Sequence, residues 1–289
     1  MPPAFDPARL LDWRIPPVER GFTRKDTILY ALGIGAGADP CDAGQLRFVT
    51  EEGLLALPSF PTALAYPALW YAEPGTGVDL AHVVHAELGF ENSGAFPVEG
   101  RVRGETRVTA VVDKGASVGA LLATECLVRD LATGQVVSRI ESSSMARNLG
   151  GFAEGRPRTT AVSAPPPARP AERSLEITTL PQAALVYRLS GDLNPLHADP
   201  RRARQAGFDR PILHGRCTFG IAAWALVRLY CPEAPARLAR IHARFSQPVF
   251  PGETLCVETW DEGDRILFRV RVPARDKAVL SHGVAAVRN

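Results

Sequence analysis

An internal duplication runs through this 289-residue sequence and sets what it can fold into. Tyr30 and Leu32 in LYALGIGAG correspond to Tyr187 and Leu189 in VYRLSGDLN, and Thr62 in SFPTALA falls opposite Thr218 in RCTFGIA. Further on, His85 in HVVHAEL answers His242 in ARIHARF, and Phe96 with Pro97 answers Phe250 with Pro251 ahead of another valine-rich stretch. Between the copies lies RPRTTAVSAPPPARPAER, residues 156–173, whose Pro165, Pro166 and Pro167 favour an extended spacer. The sequence therefore divides into an amino-terminal unit over 1–155, this linker, and a carboxy-terminal unit over 174–289, each of ordinary domain size.

Each copy reads as helix first and strands after. TFGIAAWALVRLY, Thr218 to Tyr230, is apolar on nearly every side, which suits a buried helix, and Arg228 near its end complements the helix dipole. Ile266, Phe268, Val270 and Val272 alternate with other residues at the period of a half-buried antiparallel strand. In the first copy ALLATECLVRD and QVVSRIESSSMA flank LATG, the spacing of a hairpin with a glycine turn. A helix wrapped by an antiparallel sheet is the hot-dog arrangement, so the expected fold is α+β, a double hot-dog. The first copy's counterpart of the buried helix, LPSFPTALAYPALW, carries Pro58, Pro61 and Pro67, which should shorten it and leave room for a long acyl chain.

Composition excludes more than it identifies. The net charge is +2 with arginines scattered, giving no support for a nucleic-acid or membrane-surface partner. MPPAFDPARL has no apolar signal core and no run of about 18 apolar residues occurs, while VRN is no peroxisomal address; a cytoplasmic protein is expected. Cys41, Cys126, Cys217, Cys231 and Cys256 are odd in number and far apart, which reads as reduced, mostly buried thiols.

The two copies differ where chemistry is concerned. GDLNPLHADP supplies Asp192 and His197 around Asn194 and Pro195, whereas the first copy has Gly35 and Pro40 at the equivalent positions. Pro195 disfavours a helical Asn194, so the segment should loop and aim a carboxylate and an imidazole at one small volume. A water held there is both positioned and relieved of its proton, the requirement for adding water across an activated double bond, and Asn194 is placed to orient it. In HGRCTFG, Gly215 precedes the apolar helix, so its amide can face a thioester oxygen with the helix dipole behind it and no Cβ in the way.

YRLSGDLNPLH, followed by ILHGRCTFG and ARFSQPVFPGETL, resembles the hydratase 2 or MaoC-like dehydratase family, and LYALGIGAG resembles the amino-terminal half of its two-hot-dog, single-chain members. The resemblance implies an (R)-specific 2-enoyl-CoA hydratase, needing no cofactor, with Asp192, His197, Asn194 and Gly215 in the roles above. It also implies an acyl-CoA thioester substrate contacted through His85, Lys114 and Arg244, an acyl tunnel from the first half, and pairing as a homodimer. Ala86 and Gln247 depart from the glycine and lysine common at those positions, which bears on CoA affinity rather than on chemistry.

Plainer readings account for other features. GIGAG, Gly33 to Gly37, lacks a preceding strand pattern and any GKS or GKT, so it reads as a tight loop. Asp192, His197 and His214 form no recognised metal motif, and no metal is expected; His214 reads as a helix-start residue. Two rival functions are a dehydratase acting on acyl carrier protein or on a branched or dicarboxylic CoA ester, and a non-catalytic acyl-CoA-binding protein.

Overall fold

Period-two alternation produces ten strands, which the computed structural model, describing residues 5–65, 67, 69–152 and 165–288, joins into one antiparallel sheet. The first copy contributes β1 (Val18–Phe22), β2 (Val83–Asn92), β3 (Gly100–Asp113), β4 (Ala120–Asp130) and β5 (Val136–Ala146). The second contributes β6 (Arg173–Thr178), β7 (Leu238–Phe245), β8 (Thr254–Asp261), β9 (Ile266–Val272) and β10 (Lys277–Val287). Their order is β1-β3-β4-β5-β2-β7-β10-β9-β8-β6. Read outward from the seam, the copies have the same topology, and β2 and β7 join them with Glu87 opposite Arg244 and Glu91 opposite Arg240. This is the expected double hot-dog. Of the linker, residues 156–164 lie outside the described residues, and Arg173 already belongs to β6.

The helices are α1 (Pro7–Leu11), α2 (Arg24–Gly33), α3 (Ala43–Leu46), α4 (Pro61–Leu64), α5 (Ala183–Tyr187), α6 (Pro200–Gln205) and α7 (Gly215–Tyr230). α2 is started by a capping box between Thr23 and Asp26, and it runs into the GIGAG turn, where Gly35 and Gly37 take positive φ. α7 begins three residues before the expected Thr218 and buries every residue from Arg216 to Val227, while Arg228 in its last turn reaches Asp42 at 3.7 Å. Its counterpart α4 spans only four residues with Pro61 at its start, as the proline density requires.

One face of the sheet packs on these helices and the other carries charge, as antiparallel sheets permit. Ile241, Ala243 and Phe245 of β7 turn inward, while Arg240, His242 and Arg244 alternate outward. On the outer face Glu125 is bridged by Arg107 and Arg139, and Glu258 by Arg269 and Arg271. All five cysteines are free, and Cys126, Cys217 and Cys231 are buried. Among the described residues no helix is long and apolar enough to cross a membrane.

Candidate active site

Asp192 is delivered by a tight reversal. α5 ends at Tyr187, a 3-10 turn covers Arg188–Ser190, and Gly191 then adopts φ +123°, a conformation that a side chain would strain. The Asp192 carboxylate accepts the Asn194 amide N–H at 3.2 Å, and Asn194 Oδ1 accepts the Leu196 N–H at 3.0 Å, capping a second 3-10 turn, Pro195–His197. Asn194 is thus committed through its oxygen to shaping the loop, and its amide nitrogen is the part left for a water.

His197 is buried, with Nδ1 2.9 Å from the Ile212 carbonyl oxygen. A carbonyl only accepts, so Nδ1 carries the proton and Nε2 the lone pair, the state required of a base. His214 is the N-cap residue of α7, the helix-start position expected of it, although its ring forms no capping bond. The ring stacks on that of His197, centroids 3.7 Å apart and planes 29° apart, and donates Nε2–H to the Asp192 carbonyl at 3.0 Å. One side-chain atom from each of Asp192, His197 and His214 lies within 4.8 Å of the others. The irregular spacing that spoke against a ligand set therefore conceals a spatial group of two imidazoles and a carboxylate, because His214 arrives from the next helix.

Burial lowers the pKa of His197, only partly offset by its bond to Ile212 and the charge of Asp192. His214 is pushed down to about 4, by burial first and the neighbouring His197 second, and His85 to about 3, by burial and then the Arg216 guanidinium. All three imidazoles therefore hold a proton less well in the folded chain than in the unfolded one. Below about pH 6.5 the unfolded chain takes up protons that the folded chain refuses, so stability complete above that pH is lost as it falls toward the folded values. Calorimetry should show Tm declining from about pH 7 to about pH 5; a flat profile would contradict this burial.

Gly215, whose amide is expected to face a thioester oxygen, is the first residue of α7 rather than the one before it. The first intrahelical bond is Thr218 N–H to the His214 carbonyl, 3.1 Å, so the Gly215 amide points out of the helix end. A Cβ on Gly215 would lie 3.1 Å from Phe245 Cε1. Phe245 also packs against His85, ring centroids 4.5 Å apart, so a single ring separates His85 from Gly215. A bulge between His85 and Glu87 turns that imidazole inward, where Nε2 meets Ser142 Oγ at 2.9 Å; its sequence counterpart His242 remains on the outer face.

Arg244 and Lys114 do not join this group. Arg244 is exposed on the outer face of β7, opposite to Phe245, and Lys114 sits in the β3–β4 turn with its N–H on the Gly119 carbonyl at 2.9 Å. Sequence reasoning missed Arg216, which is 7% exposed and donates from Nη1 to the Thr62 carbonyl at 2.7 Å. The available signal was an arginine inside an otherwise apolar helix. Beside the Asp192 loop, Arg20, Phe22, Asp26, Phe60, Leu64 and Leu189 line a small crevice that reaches Ser190 and has α4 as one wall.

Residues 21–148 match the MFE-2 hydratase 2 N-terminal domain and residues 162–282 the MaoC like domain. The enoyl-CoA hydratase ChsH3 of Mycobacterium tuberculosis is 37% identical over 95% of this chain and 96% of its own. A MaoC-like dehydratase from Phytophthora capsici superposes with a TM-score of 0.85 at 32% identity, covering 98% of this chain and 99% of the other. A second protein from M. tuberculosis, described as a double hot-dog fold, shares the fold at TM-score 0.57 and 15% identity over 95% of this chain and 94% of its own. Because both copies are matched in order and the similarity extends over nearly all of each chain, the protein belongs to the MaoC-like hydratase 2 family.

Proposed function

We propose that this chain adds water to trans-2-enoyl-CoA thioesters to give (3R)-hydroxyacyl-CoA and catalyses the reverse dehydration. The observation that carries this reading is that Asp192, His197 and His214 bring side-chain atoms within 4.8 Å of one another, His214 being the residue just before Gly215 at the start of α7. In the forward direction a water held by Asp192 gives its proton to His197 Nε2 as its oxygen bonds to the β-carbon. The π electrons shift toward the thioester, whose oxygen gains charge beside the Gly215 N–H. The imidazolium, stabilised by Asp192, then returns the proton to the α-carbon, so one water is consumed and both residues are restored.

The (3R) outcome and a homodimer are supported by the family resemblance, as is binding of the CoA portion by His85, Lys114 and Arg244. The division of labour, with residues 174–289 catalytic and 1–155 holding the acyl group, is supported by the shortened α4 and by Gly35 and Pro40 standing where the second copy has Asp192 and His197. With crotonyl-CoA, the enone absorbance should fall in proportion to enzyme and the product should be the (3R) alcohol by chiral chromatography. A protein that binds acyl-CoA without turnover of any enoyl thioester would be a carrier, and the proposal would fail.

A further inference from the structure

We propose, resting on the hydratase reading, that His214 is a positioning residue for the addition of water: its imidazole ties down the Asp192 loop and covers the His197 ring, holding the two in register with the start of α7. The first observation is what the ring touches. His214 is 1% exposed, donates Nε2–H to the Asp192 carbonyl at 3.0 Å, and stacks on His197 with centroids 3.7 Å apart. The Tyr187 ring packs against it as well, centroids 5.0 Å apart. The His214 carbonyl accepts the Thr218 N–H at 3.1 Å, and the peptide bond formed by that carbonyl carries the Gly215 N–H. Asp192 and His197 belong to a loop and Gly215 to a helix, and His214 is the residue through which the loop is fastened to the helix.

The second observation is the state of the other ring nitrogen. With Nε2 donating, Nδ1 carries the lone pair, and it is buried without a hydrogen-bond partner among the described residues. A buried acceptor left unpaired costs stability, so packing alone would be served at least as well by a phenyl ring. What the imidazole adds is the one donor aimed at the backbone of Asp192. The third observation comes from the duplication. The register that sets Thr62 opposite Thr218 sets Pro58 opposite His214, and proline has no ring donor. The copy with Gly35 and Pro40 in place of Asp192 and His197 therefore lacks this imidazole too. The Asp192 carboxylate must hold the water while His197 takes its proton, and a small displacement of either lowers the rate steeply. The charged groups that act on the stacked pair are Asp192 on both rings and Arg188 on His214.

The test separates the two contacts with two substitutions. His214→Phe keeps a ring on His197 and deletes the donor, whereas His214→Gln keeps a donor of similar reach and deletes the ring. His214→Phe should lower kcat by about tenfold to a hundredfold with KM little changed. Its Tm should be unchanged or higher, because an unpaired buried nitrogen is lost with the bond. A residue that served stability alone would lose Tm and activity together. His214→Gln should keep more of its kcat at neutral pH, while the acid limb of its kcat/KM profile moves up toward the ordinary imidazole value of about 6.5, because water then reaches His197 and its charged form becomes easier to make. Titration of the His197 imidazole by NMR, with no substrate present, should show the same upward shift. Should His214→Phe not fold, His214→Gln alone decides, by that titration. Wild-type kcat in His214→Phe, or an unmoved His197 titration in His214→Gln, overturns the assignment. A wild-type protein that turns over no enoyl thioester would instead defeat the hydratase reading.

Discussion

Asp192→Asn and His197→Ala should each lower kcat for enoyl-CoA hydration by about a thousandfold, and the double variant should lose little beyond the worse single one. The expectation follows from the way the loop divides the work. His197 has one nitrogen committed to the Ile212 carbonyl, so only Nε2 can receive a proton, and the Asp192 carboxylate, which accepts the Asn194 backbone N–H, lies within 4.8 Å of a His197 ring nitrogen. A water relieved of its proton by one partner but not positioned by the other gains little, which is why the losses should not multiply. Asp192→Asn keeps an oxygen for the Asn194 N–H and removes only the charge and basicity, making it the cleaner of the two. His197→Ala removes an imidazole whose burial disfavours its charged form, so acid stability should improve while activity collapses. KM should change much less than kcat, because neither residue holds the nucleotide end of the substrate. Stopped-assay kcat values near wild type for either variant would remove the dyad from the mechanism.

The duplication made two like hot-dog units readable from the sequence, and the structure gives both the same strand order, β1-β3-β4-β5-β2 and β6-β8-β9-β10-β7. The prolines around Thr62 announced the truncated α4, and the GDLNPLH segment announced a loop with Asp192 and His197 on one side. Long-range contacts were a different matter. His85 and His242 match in sequence but face opposite sides of the sheet, because the bulge at Ala86 shifts one strand by a residue and not the other. His214 reads as a cap by position, and nothing local to it records that His197 lies beneath its ring. Arg244 could have been placed by parity, since it alternates with Ala243 and Phe245 and must leave the inner face to them. Local periodicity reports which face a residue takes; which distant residue it meets there depends on the seam and on helix ends that no short window contains.

Gly215→Pro tests the thioester-oxygen site by deleting one hydrogen while retaining the helix. Proline is favoured at the first helical position, where its missing N–H would have had no intrahelical partner, and its fixed φ suits helix entry. The preceding residue must then be extended, and His214 already is, at φ −59° and ψ 135°. Backbone geometry therefore accommodates proline, and the donor is what disappears. Loss of a donor to a developing oxyanion typically costs about 3–4 kcal/mol, so kcat should fall by about a hundredfold to a thousandfold. The added atoms meet Phe245, whose Cε1 would stand 3.1 Å from a Cβ, and Gly215→Ala measures that effect separately because alanine keeps the amide. Alanine should therefore cost far less than proline in kcat, with similar Tm for both variants. If alanine and proline were equally damaging, crowding by Phe245 would be the whole effect and the Gly215 amide would have no part in binding the carbonyl. A large gap between them, together with weakened inhibition by an enolate-like analogue in the proline variant alone, would assign the charge stabilisation to that one N–H and fix where along α7 the substrate enters.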